Sequence, residues 1–239
     1  MTQHFYVLLA GVLLLSSCGK DKEAQPTWTG SFRAGPAISA TDIVLYTSTG
    51  RVDNKLLVDK FLARRKGLAT YFSRVDVPIP AAYSLTLAFR GNNRVTVLSE
   101  GPTGTDSVLT EITSQSPQRL VLANRDSVTI LRSAPQSRAE QLSSLMQGEQ
   151  PGQRCLSLPY ASGTHSQYCR VRPIRVVTSH DGKLFLPQLS WMVQAAGAYW
   201  GFYSAYSGVQ NTFNTSVVSQ LAAGDTLVVQ AREVPLFKI

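Results

Sequence analysis

The chain has 239 residues, 16% charged and 44% hydrophobic, with 23 Lys and Arg against 15 Asp and Glu for a formal net charge of +8. The apolar fraction is ordinary and the charged fraction low, which excludes disorder, collagen-like repeats and coiled coil as the main class. The length suits one large or two small domains, either able to bury a core.

The first feature in chain order is Phe5 to Leu15 (FYVLLAGVLLL), an unbroken apolar run followed by Ser16, Ser17 and Cys18. A helix that spans a bilayer needs about 20 such residues, so this run has the length of a signal-peptide core. No stretch after residue 18 reaches that length. Leu15-Ser16-Ser17-Cys18 resembles the lipobox of bacterial lipoproteins, in which a branched apolar residue and two small residues precede an obligatory Cys. The resemblance implies that residues 1–17 are a signal peptide, that Cys18 carries a diacylglycerol and an acylated amine, and that the partner is a membrane of the cell envelope. Two or more acyl chains anchor stably, each buried CH₂ contributing about 0.8 kcal/mol. Residues 18–26 read as the lipidated Cys and a solvated tether. The Lys20-Asp21-Lys22-Glu23 cluster is also similar to the tag that sends some Gram-negative lipoproteins to the outer face of the outer membrane.

Residues 27–239 read as one mainly-β domain. Its first regular element is a helix, with Asp53 as N-cap, Leu57, Val58, Phe61 and Leu62 as its apolar stripe, and Arg64, Arg65 and Lys66 ahead of Gly67. Cations in a last turn and glycine at C′ both favour termination there. Tyr83, Leu85, Leu87 and Phe89 then alternate with polar or small residues, the period of a half-buried strand. Gly91-Asn92-Asn93 tolerate positive φ, and Val95 and Val97 continue the pattern on the return. Further strands are expected over 107–113, 119–123 and 127–132, with Asn124-Arg125-Asp126 as another turn, so the region reads as an antiparallel meander.

A second helix is expected from the capping box Ser137-x-x-Glu140, with Leu142, Leu145 and Met146 inward. The chain could subdivide near 135–152. Cys155 and Cys169 remain as a pair once Cys18 is lipidated, and in an exported protein they are expected to form a disulfide. The segment between them lacks periodicity and reads as an excursion stapled at its base. Residues 170–178 and 183–192 flank Asp181-Gly182, a strong hairpin signal. Pro173 and Pro187 belong at edges or bulges because neither has a ladder N–H. A last strand covers 225–233. The fold class is therefore mainly β, an antiparallel meander of barrel-like or sandwich-like form with one or two short helices.

The search for chemistry is mostly negative. There is no G-x-S-x-G elbow, H-E-x-x-H, G-x-x-x-x-G-K-[ST] or G-x-G-x-x-G signature. No cofactor is implied, and two cysteines without a His/Cys cluster make a poor zinc site, so no metal is assigned. His165, with Ser162, Thr164 and Ser166 nearby, is the one place for a nucleophile–base pair; His180 reads as a turn residue. Asp106-Ser107, Asp126-Ser127 and Asp225-Thr226 resemble a bacterial O-glycosylation sequence and equally suit turns that open strands. Trp191, Tyr199, Trp200, Phe202 and Tyr203 form the most aromatic stretch, with Trp200 and Phe202 on one strand face and Tyr199 and Tyr203 on the other. One face is expected in the core, the other as a platform for sugars or apolar ligands. The positive charge suits anionic lipid or acidic glycan, with Arg170, Arg172 and Arg175 forming a basic surface, and no nucleic-acid motif is present. The leading reading is a non-catalytic envelope lipoprotein with a binding or structural role. Its rivals are a lipocalin-like carrier of a small apolar ligand and a hydrolase acting on envelope glycans or lipids.

Overall fold

The computed structural model describes residues 28–65, 67, 70–133, 137–147, 153–159, 165–203 and 211–239. In chain order the first elements are β1 (Gly30–Ala34), β2 (Ala37–Ile38), β3 (Val44–Thr47), β4 (Gly50–Val52), α1 (Lys55–Ala63) and β5 (Val77–Pro78). A meander follows, made of β6 (Ser84–Phe89), β7 (Arg94–Gly101), β8 (Gly104–Ser116) and β9 (Arg119–Asn124). Then come β10 (Val128–Ser133), α2 (Arg138–Gln147), β11 (Arg154–Pro159) and β12 (His165–Val171). The chain closes with β13 (Ile174–His180), β14 (Lys183–Ala195), β15 (Ala198–Tyr203), a 3₁₀ helix (Thr215–Gln220) and β16 (Thr226–Lys238).

Eight of these strands form a closed antiparallel ring in the order β1-β6-β7-β8-β9-β13-β14-β16. The turn residues drive the hairpins: Gly91, Asn92 and Asn93 all take positive φ between β6 and β7, and Asp181 and Gly182 do so between β13 and β14. Alternation then points Leu85, Leu87, Val95, Val97, Leu120 and Leu122 inward, where they meet Phe32, Val177, Leu184, Leu186, Val234 and Leu236 in one buried cluster. An eight-stranded barrel is about wide enough for such side chains to fill.

The ring closes through β14 and β16, which pair from Leu184↔Leu236 to Gln194↔Thr226 and outrun the barrel. Beyond the barrel the same ribbon becomes the centre of a second sheet, β15-β14-β16-β3-β4. One face of that sheet packs Met192 and Val228 against Val58 and Leu62 of α1. The other packs Leu189, Trp191, Val193, Leu227 and Val229 against Leu142 and Met146 of α2. The two lobes therefore share strands rather than meeting at a linker.

Where β14 changes partner, the ladder to β13 stops at Thr178↔Phe185. Pro187 has no N–H to continue it. Asn211 takes that place: its Oδ1 accepts from Val176 N (3.0 Å), and its Nδ2 donates to Val176 O (2.8 Å) and Pro187 O (3.1 Å). A buried amide thus stitches the seam, as the rule that buried backbone groups find partners requires.

Several sequence expectations are revised. The cap of α1 is Asn54, not Asp53; its side chain accepts from Leu56 and Leu57 N. Leu57 is exposed and α1 ends at Ala63, so Arg64 and Arg65 follow the helix instead of forming its last turn, and Lys66 lies outside the described residues. The Ser137–Glu140 capping box forms reciprocally, at 3.1 and 3.2 Å, and Leu142 and Met146 face inward while Leu145 is exposed. The meander ends at β9: β10 leaves the barrel for a small sheet β10-β12-β11, and β9 pairs with β13 instead. On either side of residues 160–164, which lie outside the described residues, the segment between the cysteines is paired strand: Cys155 and Cys169 are direct cross-strand partners of β11 and β12 and are disulfide-bonded.

Candidate functional site

The aromatic stretch divides as its alternation requires. Trp191 is 2% exposed and stacks on Phe202 at 5.8 Å, both on the face covered by α2. Tyr199 and Trp200 lie at the tip of the β14–β15 hairpin and are 53% and 47% exposed. The tip turns through Ala196 and Gly197 at positive φ, a conformation that costs an alanine about 1 kcal/mol. Cross-strand pairing sets Tyr199 opposite Gln194 and Trp200 opposite Val193, so the two exposed rings sit on opposite faces of the tip. Arg65, just beyond α1, joins the Tyr199 side: its guanidinium lies 5.4 Å from the Tyr199 ring and donates to Gln194 Oε1 at 2.8 Å. A ring, a guanidinium and an amide therefore converge at one exposed corner. Of the expected platform, Trp191 and Phe202 belong to the core, Tyr199 and Trp200 are presented, and the Tyr203 side chain lies outside the described residues, as does Cys18.

A second feature sits at the opposite end of β14, at the barrel mouth. Trp28 packs edge-on to Phe32 at 6.0 Å, and Phe32 to Phe89 at 5.6 Å, so an aromatic chain runs from the rim into the core. Three hollows of about 250, 430 and 360 Å³ share Trp28 as a wall. They are bounded by the turns at Gly91–Arg94, Pro117–Gln118 and His180–Lys183, and by β16 near Phe237. Trp28 Nε1 is buried without a hydrogen-bond partner among the described residues. Sequence reading does not single out Trp28; an aromatic residue two positions after Pro26, at the end of the tether, was the available signal.

The inner end of the barrel is polar. Arg232 and Gln188 are cross-strand partners on the inward face, with Ser190 one step further along the same face of β14, and all three are buried. Arg175 is also buried, and desolvation lowers its guanidinium from its ordinary value to about 10. The expected basic surface at 170–175 is thus not formed. Arg170 is exposed and donates to Ser127, and Arg172 pairs with Glu111 at 3.0 Å. Arg175 lies on the inward face of β13, two residues before the core residue Val177.

The groups that could perform hydrolysis do not assemble among the described side chains. His180 Nε2 and Thr178 Oγ1 both meet Glu233, at 3.0 Å each, so the carboxylate orients both groups while the hydroxyl is not hydrogen-bonded to the imidazole. His180 stacks on Phe185 at 3.8 Å. A hydroxyl that donates to a carboxylate has no adjacent base to activate it through histidine. The backbone of His165 lies in β12 opposite Pro159, and its side chain is outside the described residues. Among the described residues, no three His, Cys, Asp or Glu side chains cluster as a metal site, and no helix is long and apolar enough to cross a membrane.

Comparison with protein-family models, curated proteins and solved structures yields no match.

Proposed function

We propose that this protein is a membrane-anchored lipoprotein of the bacterial envelope, held by acylated Cys18, whose second lobe carries an aromatic tip for non-catalytic ligand binding. The observation that supports the reading is the opposition of two ends. Trp28, ten residues after Cys18 in sequence, sits at one end of the β14–β16 ribbon, and Tyr199 and Trp200 sit at the other. At about 3.3 Å per residue, β14 separates them by about 40 Å of strand. An anchor at Cys18 then holds the mouth near the bilayer and points the tip away from it. An aromatic face, that of Tyr199, beside a guanidinium and an amide suits the alternating apolar and hydroxyl faces of a sugar, so an envelope glycan is the ligand class.

Mass spectrometry of protein extracted from membranes tests the anchor: the N-terminal residue is an acylated Cys18, and Cys18→Ala releases the protein. Glycan-array binding tests the tip, with Tyr199→Ala and Trp200→Ala each weakening retention about tenfold, as expected for about 1.4 kcal/mol from an aromatic contact. An unmodified N-terminus elsewhere in the chain defeats the anchor, and unchanged retention by both variants defeats the tip.

The hollows around Trp28 favour a second reading, a lipocalin-like carrier that admits an apolar ligand at the mouth. On that reading Trp28→Ala enlarges the entrance and raises uptake of a fluorescent fatty acid. If neither parent nor variant takes up an acyl probe, the carrier reading is lost.

A further inference from the structure

We infer that the Trp28 end of the barrel docks on the surface of an anionic phospholipid bilayer. Six basic residues crowd this end. Arg90 and Arg94 flank the β6–β7 turn, Arg119 follows the β8–β9 turn, Lys183 follows the β13–β14 turn, and Arg33 and Lys238 lie on β1 and β16 beside the rim. All six are exposed. Among the described residues none of them forms an ion pair, whereas Arg51, Lys55, Arg74, Arg138 and Arg172 elsewhere each meet a carboxylate. Asp181 is the carboxylate on these turns, and Glu111, opposite Arg94, is engaged by Arg172.

Phe237 and Ile239 project from the same rim at 55% and 62% exposure. A basic ring with apolar side chains at its edge has the chemistry of an interfacial contact: the cations meet lipid phosphates and the apolar groups enter the headgroup layer. The described chain also begins here, at Trp28, so the 27 residues that precede it, Cys18 among them, join the barrel at the basic rim. A tether of ten residues from Cys18 to Trp28 reaches at most about 35 Å when extended and far less when coiled. The inference deepens the lipoprotein reading by assigning which face meets the bilayer, but the charge argument stands without acylation.

The test uses the full chain with Cys18→Ser, which lacks acyl chains, sedimented with vesicles of phosphatidylcholine alone or mixed with phosphatidylglycerol. Binding is expected only with phosphatidylglycerol, and to fall steeply with salt. Each basic side chain near such a surface contributes about fivefold, so Arg90→Gln/Arg119→Gln/Lys183→Gln weakens binding about a hundredfold. A control that removes three exposed cations far from the mouth, Lys60→Gln/Arg64→Gln/Arg125→Gln, changes it less than fivefold. Circular dichroism establishes that both variants fold. Equal losses in the two variants, or binding indifferent to phosphatidylglycerol, overturn the inference. So does an acidic polysaccharide that binds the rim while vesicles do not. Absence of acylation on the native chain defeats the anchor and leaves these outcomes unaffected, so the two claims fail separately.

Discussion

Replacing Asn211 probes the seam where the barrel becomes the second lobe. Its side chain makes three hydrogen bonds, at 3.0, 2.8 and 3.1 Å, to backbone groups of Val176 and Pro187, and the residue is 2% exposed. A hydrogen bond contributes about 1 kcal/mol net, and a buried group left without a partner costs about 1–3 kcal/mol. Asn211→Ala orphans one N–H and two carbonyls, so a loss of about 3–5 kcal/mol is expected after partial relaxation. Asn211→Asp keeps the acceptor for Val176 N but aims a carboxylate oxygen at the two carbonyls. It is therefore expected to cost at least as much as alanine despite matching the shape. Urea denaturation followed by circular dichroism gives the magnitude, with an unchanged denaturant slope, and hydrogen exchange at the Val176 amide localises it. A loss below 1 kcal/mol with Val176 still protected would refute the idea that this amide replaces the ladder Pro187 interrupts.

Three further outcomes follow from the same packing. Removing the Cys155–Cys169 bond, whose partners are 14 residues apart, is expected to destabilise the β10-β12-β11 sheet by about 3 kcal/mol; limited proteolysis of Cys155→Ser/Cys169→Ser should cut there first and leave barrel fragments intact. Trp191→Ala removes a fully buried ring stacked on Phe202 and is expected to cost about 3–5 kcal/mol in thermal or urea unfolding, with Trp191→Phe recovering most of it. Arg175 supplies a pH dependence: burial lowers its folded value to about 10, below its ordinary value, so the unfolded chain holds the proton more tightly above that pH. Its burial cost is fully present below about pH 10 and relaxes as pH rises further. Arg175→Met is expected to be as stable as the parent or more so at pH 8, with any advantage shrinking by pH 11; an advantage that grows with pH would contradict the desolvation argument.

What could be read in the sequence were features fixed by neighbours in the chain. The β6–β9 meander follows from period-two alternation and from Gly91, Asn92 and Asn93, and the start of α2 from a capping box three residues wide. Helix α1 was found with its cap one residue early, because Asp53 and Asn54 are both competent caps and only Asn54 reaches the N–H groups of Leu56 and Leu57. Barrel closure was not legible, since it depends on β14 meeting β16 through partners such as Leu184↔Leu236, far apart in the chain. Short strands such as β3 and β4 carry too few residues for a period to register. The same distance hid the corner at Tyr199: Arg65 reaches Gln194 across 129 residues. Arg175 was grouped with Arg170 and Arg172 by nearness in the chain across Pro173, whereas in β13 it shares the inward face of Val177.

The shared ribbon explains why the barrel and the second lobe cannot be separated energetically. Residues 184, 186, 188, 190 and 192 of β14 lie on one face, and that face is barrel interior at Leu184 and Leu186, polar at Gln188 and Ser190, and α1-facing core at Met192. A slip of one residue in the β14–β16 register would reverse every side chain on both lobes at once. It would expose Leu184 and Leu186 while burying Phe185 and Pro187 in the barrel, and in the second lobe it would exchange Met192 with Trp191 and Val193 between the α1 and α2 faces. Each lobe therefore fixes the register of the other, and the changeover falls where Pro187 ends one ladder and Asn211 closes the gap. The polar layer at Gln188 and Arg232 lies at that changeover. Neither apolar core extends through it, so the barrel interior and the α1 face remain two separate apolar clusters on one continuous face of the ribbon.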